Sequence, residues 1–91
     1  MNVKQCWIVL NVVRGSLAYH AIDAANNLKG LCHILEACYL NLRRKTNLES
    51  CNQSIDYVYT HLEEFLIDYA EELSENEHDA IKMCMECLAE N

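Results

Sequence analysis

Apolar residues fall along the chain in two long runs with heptad spacing. Leu17, Ala21, Ala24, Leu28, Leu31, Leu35, Cys38 and Leu42 are separated by 4, 3, 4, 3, 4, 3 and 4 positions. Leu48, Cys51, Ile55, Val58, Leu62, Phe65 and Tyr69 follow at 3, 4, 3, 4, 3 and 4, with Leu73 closing the run. Each run is one stripe of an amphipathic helix. The spacing predicts helices over 17–45 and 48–73, the first opened by Ser16 as N-cap. Arg43, Arg44 and Lys45 end that helix, where cations complement its dipole.

Only Thr46 and Asn47 separate the two runs, and so short a break forces an antiparallel hairpin. Folding there pairs Leu42 with Leu48, Cys38 with Cys51, Leu35 with Ile55, Leu31 with Val58 and Leu28 with Leu62. Beyond these Ala24 meets Phe65 and Ala21 meets Tyr69, small against large, as a close-packed core requires. The two flanks of this seam differ. Ala18, Ala25, Cys32 and Tyr39, with Tyr59, Leu66 and Leu73, make one flank apolar. His20, Asn27, Ile34 and Asn41, facing Ser54, His61 and Asp68, make the other mostly polar. An apolar flank demands a cover.

Two segments are available to cover it. Ser74-Glu75-Asn76-Glu77 is a capping box that opens a helix over 75–89, with Ala80, Ile81, Cys84, Cys87 and Leu88 on one face. The segment from Val3 to Val13 is rich in β-branched residues. It nevertheless keeps helical spacing at Val3, Cys6, Leu10 and Val13, and a lone strand has no partner in such a chain, so a helix is expected. The fold class is therefore all-α: a single domain over 1–91, built as a helical hairpin over 17–73 with shorter N- and C-terminal helices in a small bundle. The absence of proline and the presence of only two glycines, Gly15 and Gly30, agree with that class.

Charge refines the picture. The formal net charge is −7. From Met1 to Leu62 six bases face four acids, whereas from Glu63 onward ten acids face Lys82 alone. That C-terminal third repels phosphate backbones, which argues against general nucleic-acid binding. A basic protein surface is its electrostatic match. No apolar stretch approaches the roughly 20 residues of a membrane span. The run Cys6 to Leu10 is a poor signal peptide, with no convincing cleavage site after it, so a cytoplasmic protein is expected.

Candidate chemistry is sparse. Cys84-Met85-Glu86-Cys87 is a CxxC. It lies late in its helix, contains an acid and lacks a turn residue, all of which work against a reactive thiolate. Two facing apolar thiols in the core is the simpler reading, and Cys84 and Cys87 are weak metal candidates, since zinc needs four ligands. Cys38 and Cys51 face each other across the hairpin and are expected to stay thiols in a reducing compartment. Cys32 and His33 point about 100° apart, which makes a poor nucleophile–base pair. Ser54, His61 and Asp68 lie about two turns apart on one row, too far for a relay. No catalytic residue and no cofactor is expected, and an enzyme is not.

What remains is surface. Glu63, Glu64, Asp68, Glu71, Glu72 and Glu75, with Tyr57 as an outward aromatic, form the expected docking face for a protein partner. Glu77 and Asp79 extend the same acidic run. The expected function is that of a small acidic module (a regulator, adaptor, antitoxin or phage-type inhibitor) that occludes another protein. A metal- or redox-active CxxC protein and a nucleic-acid mimic are the alternatives. The stripe of Ala18, Ala25, Tyr59, Leu66 and Leu73 is expected to be left partly open and to hold a homodimer together.

Overall fold

The computed structural model describes residues 1–90. Four helices follow one another: α1 (Val3–Leu17), α2 (Ile22–Arg44), α3 (Leu48–Asp68) and α4 (Glu75–Ala89). α1 packs on α2 and α4, and α3 packs on the same two, so the helices form a closed ring without diagonal contacts. The bundle measures 38 × 20 × 19 Å. Neighbours run antiparallel. Cys38 meets Cys51 beside the α2–α3 turn, and Cys6 near the start of α1 meets Cys84 near the end of α4. No helix among the described residues is long and apolar enough to cross a membrane.

The expected hairpin is present, and α4 opens on the expected capping box. Ser74 Oγ accepts from the Glu77 backbone N–H (3.1 Å), and Glu77 Oε1 accepts from the Ser74 N–H (2.8 Å). The stripe Leu28, Leu31, Leu35, Cys38 of α2 and its partners Cys51, Ile55, Val58, Leu62 and Phe65 of α3 are all buried. α2 ends in the Schellman arrangement: the Thr46 N–H reaches Asn41 O (3.0 Å) and the Lys45 N–H reaches Leu42 O (3.2 Å). Lys45 (φ 55°) and Asn47 (φ 51°) take the left-handed conformation that turns the chain into α3.

Three boundaries differ from the sequence reading. α2 begins at Ile22 instead of Leu17, and Ser16 is not its N-cap. Gly15, Ser16 and Leu17 complete α1, and the chain turns over residues 18–21 through Tyr19 N–H to Ser16 O and Ala21 N–H to Leu17 O. The cause is that Leu17 belongs to two stripes at once. It continues Val3, Cys6, Leu10 and Val13 in α1 as naturally as it precedes Ala21 and Ala24. α3 stops at Asp68, and residues 69–72 form a turn instead of a further helical turn.

α1 is a full helix, with its own capping box: Asn2 Oδ1 accepts from the Gln5 N–H (3.0 Å) and Gln5 Oε1 from the Asn2 N–H (2.8 Å). β-Propensity, a scale about 1 kcal/mol wide, loses here to burial. Val3, Cys6, Leu10, Val13 and Leu17 all enter the core, and full burial of a Val or Leu side chain contributes about 1.5–3 kcal/mol. By folding back, α1 covers the α2 half of the apolar flank, and α4 lies along α3. Ala25, expected in an open stripe, is 3% exposed. Tyr59, Leu66 and Leu73 are half-buried against the core, and Ala18 alone of that set is exposed, in the turn.

Gly30 lies exposed in the middle of α2, and a Cβ added there meets nothing within 4 Å. Its only effect is the entropy of an unconstrained helical glycine. Gly30→Ala is expected to stabilise the protein by about 1 kcal/mol, raising Tm by roughly 4–8 °C in a melt followed by circular dichroism. An unchanged or lower Tm would contradict the interior placement of this residue in α2.

Candidate functional site

The structure separates the chemistry-bearing residues into an inert interior and a charged exterior. All six cysteines are buried thiols. Cys6 Sγ donates to Cys84 O and Cys84 Sγ to Cys6 O, each at 3.8 Å, while Cys87 Sγ donates to Met1 O at 2.9 Å. Cys38 and Cys51 exchange the same kind of bond, Sγ to carbonyl, at 3.7 and 3.4 Å.

Burial, then the Cys6 thiol, push Cys87 up to about 11. Burial, then Cys51, push Cys38 up to about 12. Cys6 is raised by its bond to Cys84 and then by burial. Cys32 is raised by burial to about 11, against a smaller opposing pull from Arg14. Thiols in this state are poor nucleophiles and poor metal ligands. Among the described residues no three His, Cys, Asp or Glu side chains converge as a metal ion requires.

One acid of the expected docking run is internal. Glu77 is buried, and its carboxyl lies below the usual range. Burial pushes it up, but the Ser74 N–H, the Ser16 and Ser74 hydroxyls and the nearby His20 outweigh that. His20 Nε2 stands 3.9 Å from Glu77 Oε2, joining the turn after α1 to the start of α4.

The other acids are exposed. Glu63, Glu64 and Asp68 lie on the last turns of α3, Glu71 and Glu72 in the turn after it, and Glu75 in the first turn of α4. In their midst sits Ile67, 78% exposed, pointing away from the core-facing stripe of Leu62, Phe65 and Tyr69. Glu63 and Glu64 stand one turn before it and Asp68 beside it. Tyr57, 48% exposed, does not join this cluster. It is ten residues from Ile67, about 15 Å along the helix, stacked on His61 with ring centroids 3.8 Å apart. Its carbonyl accepts from His61 Nδ1 at 2.8 Å. Tyr57 instead borders a shallow groove with Ile34, Gln53 and Ser54 between α2 and α3.

Sequence reasoning missed Ile67. The signal was available: an isoleucine off the heptad, within a run of acids, has no core to enter. A second apolar surface was missed as well. Ile8, Val12 and Met83 are exposed, and Met1, Ile8, Val9 and Met83 line a groove of about 430 Å³ between α1 and α4. Comparison with known protein families, curated proteins and solved structures finds no match to this chain.

The thiol environment predicts a direction for stability with pH. Values raised above the ordinary 9.0 mean that the folded protein keeps protons the unfolded chain has shed. This contribution is fully present below about pH 9 and is lost as pH rises towards 11–12. Urea unfolding is expected to give a lower stability at pH 10.5 than at pH 8, with a smaller drop in Cys32→Ala. An equal drop in both proteins would remove Cys32 from this account.

Proposed function

We propose that this chain is a small acidic protein-binding module that occludes a basic surface of its partner. The face is the C-terminal part of α3 with the turn that follows it. The observation that carries the reading is Ile67, an exposed isoleucine ringed by Glu63, Glu64 and Asp68. An apolar centre inside a charged rim is how protein interfaces divide their labour: the centre supplies affinity and the rim steers encounter. Glu71, Glu72 and Glu75 extend the rim towards α4. The role of this face is recognition. Tyr57, which borders the separate groove between α2 and α3, is not part of this face.

The test is to install a photo-crosslinking residue at position 67, recover the partner from the native host, and measure association of the purified pair. Ile67→Ala is expected to raise the dissociation rate about tenfold, the loss of an anchor worth about 1.4 kcal/mol. Glu64→Lys with Asp68→Lys is expected to slow association and flatten its salt dependence, because exposed charges are screened beyond about 8 Å at physiological ionic strength. Association rates indifferent to salt and to charge reversal would rule the acidic face out.

A second reading, self-association, is favoured by the groove between α1 and α4. Ala25 is buried and Tyr59, Leu66 and Leu73 are half-buried against the chain's own core, so a homodimer would use Ile8, Val12 and Met83 instead. These are apolar groups at the surface of a bundle too small to cover them. Ile8→Glu is then expected to halve the mass seen by light scattering at micromolar concentration. A wild-type mass of one chain would refute the dimer and leave the acidic-face reading intact.

A further inference from the structure

In a protein of net charge −7, the groove between α1 and α2 stands apart. α1 presents Trp7, Asn11 and Arg14 along it, and α2 presents Lys29, Cys32 and His33, with Glu36 at one end; its volume is about 240 Å³. The arginine is held by a relay. Asn11 Nδ2 donates to Trp7 O (3.0 Å), which turns the amide oxygen towards the guanidinium, and Arg14 Nη2 donates to that oxygen (3.4 Å). Arg14 Nε is buried and donates to no group of the protein. Among the described residues no carboxylate lies within ion-pair distance of Arg14 or Lys29. Trp7 stacks on Tyr39 at 6.0 Å and 23°, which fixes the indole as a wall.

We propose that this groove binds a small monocarboxylate carried on a flat apolar ring. A guanidinium lining a groove recognises a planar oxyanion, and Lys29 adds a second positive charge across it. Against Glu36 the two cations leave one net positive charge, which matches a monoanion better than a phosphate dianion. Trp7 and the buried Cys32 supply the apolar surface for the ring. The volume is below the roughly 300–1,000 Å³ of sites for drug-sized ligands and suits a single ring. This site is on different helices from the acidic face and stands or falls without it.

Trp7 is the sole tryptophan, so its fluorescence reports the groove directly. Titration with benzoate is expected to give a saturable change with a Kd on the order of 1 mM, while the neutral isostere benzamide gives none. Arg14→Met should weaken benzoate at least tenfold and Lys29→Met severalfold, with unchanged helical circular dichroism. Lys29 is exposed, so its variant keeps the test valid even if Arg14→Met does not fold. Benzamide binding as tightly as benzoate, inorganic phosphate binding more tightly, or no saturation up to the solubility limit of benzoate would each overturn the proposal.

Discussion

Two amphipathic helices joined by a short turn bury one stripe each and leave their flanks wet. The α2–α3 hairpin has that problem on the side of Ala25 and Cys32, and the return of α1 across α2 solves it. Once α1 lies there, its own stripe of Val3, Cys6, Leu10, Val13 and Leu17 needs a second wall, which α4 supplies with Ile81, Cys84 and Leu88. The cover of one helix creates the demand for the next, until the fourth closes on the third. The four stripes together make one buried cluster.

Sulfur fits this arrangement for a physical reason. Where α1 meets α4, and again where α2 meets α3, cysteines face each other and bond to the opposite backbone. A thiol is small enough to let two helices approach and polar enough to satisfy weakly a second lone pair of a helix carbonyl. The residues that looked most like reaction chemistry thus serve as packing.

Legibility followed range. The α2–α3 pairing, the Cys38–Cys51 contact and the Ser74–Glu77 cap were readable because each depends on near neighbours or on a turn of two residues. The break between α1 and α2 was not readable from apolar spacing, since Leu17 satisfies the stripe on either side and neither proline nor a left-handed glycine marks the turn. Charge counted along the chain places Glu77 with the surface acids, whereas its backbone-capping role turns the carboxyl inward. Ile67 is off the heptad register, so apolar periodicity gives it no place, whereas Tyr57 stands out by its ring alone. The grouping of Arg14 with Lys29 was beyond local pattern altogether, because it exists only once α1 has folded back.

The contacts that complete the ring are also the most distant in sequence. Cys38 and Cys51 are 13 residues apart, whereas Cys6 and Cys84 are 78 apart. Closing the longer loop costs about 1.6 kcal/mol more in chain entropy, from the logarithmic dependence on loop length. Loop entropy alone therefore favours closing the α2–α3 hairpin ahead of the α1–α4 seam. In amide hydrogen exchange that order becomes a gradient of protection across the bundle. On the outer side of that seam, where Ile8 and Met83 are exposed, the surface is held by the contacts that span the most chain.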